Sequence, residues 1–427
     1  MVFRRSQAFP WGIAGLVGTV LVTGAATPEA QAQVFPAEST ARGVTVTTRP
    51  RPEYDPLGVR IGAFRLDASA ELGLGYDDNV FGTRNNRTGD GFFDWNLRAG
   101  LESDWTRHGV GVTASVAERR YFSETPLNWT DWSVGAFGRL DIGGVSSIEA
   151  RYSHQRLHLD VTSIDVQQAG VGQPSPYDVD EFRITGNTRL NRLALTGLLS
   201  YQIYQFDNVE IGGVTQPLDE NNYQTWLAVV GAGYAFAPGR LGTLVARIQD
   251  IRYDKAISRG RDSFTWEVLV GFQYDFDGVW QARAGVGYRQ RNYDSPTIKN
   301  LEGPAFEGQV IWAPSQITTV TLGFRRTIEE SINRNQVGYN RTLVQANVDH
   351  ELRRNVILGL ELGAIWLDYQ GSNLSATDGY LILTGRWLLN RNMALTASYQ
   401  YVNRFQANGG AEQYYRNLFQ VGVRFAI

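Results

Sequence analysis

Charged side chains at every second position are the groups in this chain that offer the most chemistry. Ten arginines lie opposite an apolar face, and we predict that they line a pore: Arg98, Arg151, Arg183, Arg247, Arg283, Arg289, Arg325, Arg341, Arg386 and Arg424. Five glutamates share these faces: Glu71, Glu102, Glu149, Glu267 and Glu361. A guanidinium binds carboxylates and stacks on aromatic rings. Two interpretations stay open, namely ion pairs that brace a wet wall, or an arginine-rich path for a polyanion or carbohydrate.

Residue types that support catalysis are scarce. The chain has no cysteine, which excludes disulfides, thiolate metal sites and cysteine nucleophiles. The four histidines, His108, His154, His158 and His350, do not have the spacing of metal ligands on a helix. We therefore expect no enzymatic activity, no cofactor and no metal. The net charge is -3 and there is no basic run, so we expect no nucleic-acid partner.

Apolar and polar residues alternate from about Ala63 to the end of the chain, as in strands that face lipid on one side. Long polar loops alternate with tight turns, and among the predicted loops are 159–180, 292–304, 370–378 and 403–413. The pattern predicts an all-β fold, a transmembrane antiparallel up-and-down outer-membrane β-barrel of about 18 strands with both termini periplasmic. A soluble sandwich or propeller would also alternate, but it would not explain the loop rhythm and the two chain ends described next.

The N-terminus predicts export. Arg4 and Arg5 precede an uncharged apolar run, and the small residues Ala30 and Ala32 follow it, which is typical of a signal peptide cleaved after Ala32. The run is short for the alternative, a membrane anchor helix. We divide the chain into a signal peptide (1–32), an extended Pro-rich periplasmic segment (33–61) and the barrel (62–427). The segment has too few apolar residues for an ordered plug.

The last strand resembles the signal that the bacterial barrel-assembly machinery reads. Gln420, Gly422, Val423 and Phe425 reproduce its polar, glycine, apolar and aromatic positions. The resemblance implies that this machinery is a partner. An apolar outer face also predicts contact with outer-membrane lipid and lipopolysaccharide, and it fits a monomer.

A phrase after the first strand resembles the putative beta-barrel porin type 2 family of Gram-negative bacteria. It consists of Tyr76, Asp77, Asp78, Asn79, Val80 and Phe81. The resemblance implies a location in the cell outer membrane. Some relatives are implicated in exopolysaccharide export together with a periplasmic polysaccharide-export protein, which would then be a partner of this chain too.

Three functions remain open. The first is a conduit for exopolysaccharide export, and the second is a general or solute-specific porin, for which loop 159–180 is the natural inward constriction. The third is a structural or adhesive barrel with a closed lumen. Aromatic residues near the loop bases could stack on sugar rings or form the membrane-interface girdle: Trp129, Trp132, Tyr204, Tyr223, Tyr288, Tyr369 and Tyr401.

Overall fold

Eighteen long strands form the protein in the computed structural model, which describes residues 44–427 apart from 277, 334 and 335. We number them β1 (Phe64–Asp77), β2 (Asp90–Ser103), β3 (Gly109–Tyr121), β4 (Trp129–Ile142), β5 (Ser146–Leu159), β6 (Ser175–Leu190), β7 (Leu193–Phe206), β8 (Tyr223–Ala237), β9 (Arg240–Tyr253), β10 (Ser263–Phe276), β11 (Trp280–Tyr293), β12 (Leu301–Ser315), β13 (Thr318–Glu330), β14 (Gly338–Arg353), β15 (Val356–Tyr369), β16 (Ser375–Leu388), β17 (Met393–Asn408) and β18 (Tyr414–Ala426).

The sheet closes on itself. Each strand pairs antiparallel with the next, and β1 pairs with β18 from Ser69 opposite Ala426 to Asp77 opposite Leu418. The predicted antiparallel all-β barrel and its count of 18 are confirmed. Tight turns lie at the end that carries both barrel termini, the turn end, and longer connections lie at the other, the loop end. That the turn end is periplasmic stays a prediction.

Period-2 alternation sorts the side chains between the two faces of the wall. On β18, Phe419 and Val421 are exposed on the outside, whereas Leu418 and Gln420 face inward and are buried. The outer face is therefore the apolar surface that lipid covers. The inward face carries the polar and charged residues and, near the loop end, many aromatic ones.

Several strands extend further at the loop end than the alternation predicts. β6 begins at Ser175, β12 at Leu301 and β16 at Ser375, and β17 continues to Asn408, so the predicted loops 159–180, 292–304, 370–378 and 403–413 are each too long. Strands of 13–16 residues exceed the roughly 9–11 that cross a bilayer. Beyond the membrane the pattern inverts, because on β6 Asp178 faces outward while Tyr177 faces inward.

Pro304 lies within a strand because β12 has only one partner there. It is in register with Tyr288 of β11, whereas pairing with β13 is recorded only from Glu307 onward. A proline, which has no N–H, is tolerated where one side of the strand makes no ladder bond.

The segment before the barrel folds against the turn end. The Val46 N–H donates to Thr319 Oγ1 at 3.0 Å, and Arg51 forms a 2.7 Å ion pair with Glu351. Residues 59–61 form a short strand, Val59–Ile61, on the edge of β1. The description "extended" therefore does not fit residues 45–55, because the buried Arg51–Glu351 pair holds them in turns. The predicted signal peptide, with Ala30 and Ala32, lies outside the described residues.

Helices are few and short. An α-helix, α1 (Ile164–Gln168), and three 3-10 turns (Thr125–Leu127, Leu218–Asn221 and Arg259–Arg261) lie in connections. In the described part of the chain, no helix is long and apolar enough to cross a membrane.

Candidate functional site

The loop between β5 and β6, residues 160–174, turns into the barrel, and we call it the plug loop. Its first turn is fixed locally, because Asp160 Oδ1 accepts from the Thr162 N–H at 2.7 Å. Ser163 caps α1 by accepting from the Val166 N–H at 3.3 Å, which is a common way to satisfy the free donors of a helix start. These local bonds give the plug loop a defined shape.

Three apolar side chains of the plug loop pack against three different parts of the wall. Val161 joins a cluster with Phe92, Tyr121 and Leu418 from β2, β3 and β18. Ile164 joins residues of β14–β18, and Val166 joins residues of β5–β7 together with Ile332. In a ring of 18 strands, β6 and β15 are nine positions apart and therefore opposite each other. The plug loop thus spans the lumen.

Buried polar contacts hold the plug loop to the far wall. Ser331 Oγ donates to Asp165 Oδ1 at 2.7 Å. Arg404 donates to the Thr162 carbonyl at 3.2 Å and pairs with Asp378 at 2.8 Å. Burial raises the pKa of the Asp165 carboxyl to about 6, although the Ser331 hydroxyl opposes the shift. The charged form of Asp165 is therefore penalised when the loop is docked.

Neighbouring loops lock the segment 331–337 in place. Arg261 donates to the Ser331 carbonyl at 2.9 Å and to Asn221 Oδ1 at 2.6 Å. Asn221 in turn donates to the Ile332 carbonyl at 2.9 Å. Loops 207–222, 254–262 and 331–337 therefore move together or not at all, and with the plug loop they close the lumen at the loop end.

Aromatic rings line the inside of the wall at this end, and we call them the aromatic belt: Phe92, Tyr121, Tyr177, Tyr204, Phe206, Tyr223, Tyr253, Tyr293, Tyr339, Tyr369, Tyr380 and Tyr414. Rings on adjacent strands are close, with centroids 4.5 Å apart for Tyr204 and Tyr223 and 4.6 Å apart for Tyr339 and Tyr369. The belt is distinct from the girdle that faces lipid.

The predicted aromatic residues divide between the two sides of the wall. Tyr204, Tyr223 and Tyr369 belong to the belt, whereas Trp132 and Tyr288 are exposed on the outer face. The outer face also carries Tyr401 by parity, and Trp129 stacks on His158 with centroids 4.5 Å apart.

The fifteen charged residues predicted to line the pore all lie on the inward face, because each alternates with outward neighbours along its strand. Many of them are paired. Arg247 contacts Glu307 at 2.6 Å, and Arg289 Nε donates to Glu267 at 2.6 Å. Arg151 contacts Glu149 at 3.2 Å. The bracing interpretation therefore fits this part of the wall, while lining of an open pore stays a prediction.

Three inward arginines differ from the rest. Within the described part of the chain, Arg98, Arg386 and Arg424 form no hydrogen bond and no ion pair within 4.0 Å. Arg341 lies 4.0 Å from Glu329, and Arg283 donates to Gln309 at 2.9 Å.

The phrase that follows the first strand fastens the closing seam between β1 and β18. Asp77 is fully buried and accepts from Arg416 Nε at 2.8 Å. Asp78 accepts from the Asn417 N–H at 2.7 Å, and the Asn79 amide donates to the Tyr415 carbonyl at 2.9 Å. Val80 and Phe81 pack in the cluster around Val161. Tyr76 faces outward and is exposed.

The proposed assembly signal lies at the turn-end half of the seam. Gln420 faces inward and donates to Asp94 at 3.0 Å, whereas Phe425 faces lipid. Val423 lies on the same face as Phe425, and Gly422 packs against the backbone of Leu72. Recognition by the assembly machinery stays a prediction.

A model of the putative beta-barrel porin 2 family matches residues 51–427. The chain belongs to this family. A barrel porin of this family with the fold described above lies in the cell outer membrane. Among curated proteins, a search found no match.

Solved structures similar to this barrel porin include outer-membrane barrels of Pseudomonas aeruginosa. The outer membrane protein OpdK is 12% identical with a TM-score of 0.45, covering 85% of this chain and 98% of its own. A mutant of the ferric enterobactin receptor PfeA is 8% identical with a TM-score of 0.45, covering 84% and 80%. The copper transporter OprC is 11% identical with the same TM-score, covering 86% and 81%. Such values carry no inference about cargo.

Sequence reasoning missed the contacts of the plug loop and the inward direction of the belt. A signal for the first was present, because Val161, Ile164, Val166 and Val171 are apolar residues in a segment that reads as a polar loop. A solvent-exposed loop has no need of four such side chains.

Proposed function

We propose that this barrel is a carbohydrate conduit whose gate is the plug loop, and that its cargo is an exopolysaccharide leaving the cell. The observation that carries the proposal is the aromatic belt. Aromatic rings offer flat apolar faces with a negative quadrupole, and such faces suit the C–H faces of sugar rings. A belt that faces the lumen would guide a sugar chain past the wall once the gate opens.

The direction of transport in this proposal comes from the family resemblance, and the turn end then faces the periplasm. A periplasmic polysaccharide-export protein would meet the barrel there. The folded segment at residues 45–55 lies at the same mouth, so such a partner would contact or displace it. We propose a monomer, because the outer face is apolar around the ring and suits lipid.

Planar-bilayer recordings of the full-length protein test the proposal. The wild type should rarely open, whereas Ile164→Asp should conduct steadily because a carboxylate cannot dock among the apolar residues of the far wall. Val214→Asp, a change on an exposed hairpin, is the matched control and should behave as wild type. A lack of conductance in every variant would instead indicate a structural barrel.

Sugar block of the opened channel tests the belt. In the Ile164→Asp background, a neutral oligosaccharide such as maltohexaose should block the current. Tyr204→Ala should weaken that block about tenfold, whereas Tyr288→Ala on the lipid face should not change it. Equal block in both variants would contradict the role of the belt.

A solute-specific porin is the second candidate. It is favoured by one observation, the inward course of the plug loop, because constriction by such a loop is what a diffusion porin needs. Steady openings of the wild-type protein that sugar does not block would support the porin and overturn the gated conduit.

A further inference from the structure

Three arginines stand on the inner wall on both sides of the closing seam, and we call them the seam arginines: Arg98 on β2, Arg386 on β16 and Arg424 on β18. The register shows their relation. Arg424 pairs with Glu71 of β1, and Arg98 pairs with Ser69, two residues further along that strand. Arg386 pairs with Thr396 of β17, which is in register with Gly422 of β18. Neighbours in this set are two strands apart, roughly 10 Å.

The seam arginines have no partner of their own among the described residues. Arg386 Nε is buried without a hydrogen bond. A buried donor without a partner is uncommon in folded proteins and calls for an explanation. The guanidinium keeps its charge under all physiological conditions, so loss of charge does not resolve the imbalance.

Nearby carboxylates do not neutralise this patch. Glu71 accepts from the Thr396 hydroxyl at 2.9 Å, and Asp349 accepts from the Asn347 amide at 3.0 Å. Neither lies within ion-pair distance of a seam arginine. On the wall formed by β9–β13 the arrangement is different, because Arg247 and Arg289 share Glu267 and Arg247 also contacts Glu307.

We propose that the seam arginines form a binding site for the carboxylate groups of an acidic carbohydrate. Each guanidinium presents a planar fork of donors that matches a carboxylate. Three forks spaced along one arc suit a chain that carries a carboxylate on successive sugar units. The proposal rests on the proposed function for its carbohydrate class, and it names uronate-type sugars as the cargo.

The site lies in the turn-end half of the lumen, while the plug loop closes the loop end. A ligand can therefore bind from the turn end with the gate shut. Lipid headgroups lie outside the wall and do not reach it. Free phosphate could compete, because it offers the same charge and acceptor geometry to a guanidinium.

Calorimetric titration of the purified full-length protein with hexagalacturonate tests the site. The triple variant Arg98→Gln, Arg386→Gln, Arg424→Gln should bind at least tenfold more weakly than wild type. The control Arg151→Gln, Arg183→Gln, Arg247→Gln removes three paired inward arginines and should change affinity less than threefold. Heat-modifiable electrophoretic mobility checks that each variant is folded, and single seam substitutions replace any that is not.

Neutral and inorganic probes distinguish the alternatives. Maltohexaose should bind wild type and triple variant equally. If inorganic phosphate binds as tightly as hexagalacturonate, the site is a general anion site and the uronate assignment is overturned. Equal hexagalacturonate affinity in wild type and triple variant would overturn the site itself. If binding is lost in the variant but no sugar crosses membranes reconstituted with Ile164→Asp protein, the site stands and the proposed conduit fails.

Discussion

At the scale of single residues, the loop end depends on charges that were taken out of water and paired. Arg404 and Asp378 are both fully buried, and Arg404 also donates to Gln167 of the plug loop at 3.1 Å. Such pairs are costly to leave half-made, because removing one partner strands the other charge. The plug loop is thus held by specific geometry as well as by apolar contact.

Asp165 makes the gate sensitive to pH. Burial raises its pKa from 3.8 to about 6 in the docked loop, whereas in an undocked loop it should titrate near its ordinary value. Between pH 3.8 and 6 the docked form therefore holds a proton that the undocked form has released, and a fall in pH through this window favours docking. Single-channel open probability should rise from pH 5 to pH 7.5, with Asp165→Asn flattening the profile. The exposed Asp254→Asn should leave it unchanged, and a wild-type profile that falls with pH would contradict the assignment.

At the scale of elements, the sheet bends sharply where β10 and β11 meet, and two inward glycines allow the close approach. A Cβ at Gly287 would lie 1.8 Å from the Val268 carbonyl oxygen, and one at Gly271 would lie 2.1 Å from that of Ala284. Backbone atoms cannot yield as a side chain can. These positions therefore fix the curvature of the wall.

Gly287→Ala should prevent normal assembly, because the methyl group would force β10 and β11 apart. The expected result is loss of the compact, heat-modifiable species in semi-native electrophoresis. Gly242→Ala on β9, where nothing lies within 4 Å of an added Cβ, should assemble as wild type. Equal yields of folded protein from the two variants would show that the bend tolerates a side chain.

At the scale of the whole molecule, closure of the ring depends on the strand pair that is most distant in sequence. β1 and β18 pair over only part of their length, from Ser69 to Asp77 on the β1 side. The contacts of Asp77, Asp78 and Asn79 with β18 fasten the loop-end limit of this seam. The family phrase thus has a structural role, because it joins the two ends of the barrel chain.

Asp77→Ala should weaken the closed barrel by about 3–5 kcal/mol, because it leaves Arg416 buried without its partner. Urea unfolding in detergent, followed by tryptophan fluorescence, measures the change in the free energy of unfolding. The control Asp104→Ala removes an exposed ion pair with Arg60 and should cost less than about 1 kcal/mol. Similar losses in both variants would show that the buried pair has no special part in closure.

The sequence by itself determined which way each strand residue faces, the number of strands and the family. Alternation is a local property, and lipid outside enforces it on every strand that crosses the membrane. The same parity placed Arg98, Arg247 and Arg424 inward, but it could not say that Arg247 is paired and the other two are not. Pairing depends on neighbours across strands, which only the register decides.

Tertiary structure alone decided that the plug loop spans the lumen. Val161, Ile164 and Val166 are ordinary apolar residues in the chain, and their partners lie on strands up to 13 positions away in the ring order, from β5 to β18. No local pattern encodes which far wall a loop will meet, because that contact exists only once the ring has closed. The gate is therefore a property of the closed barrel, whereas its wall is a property of the strands.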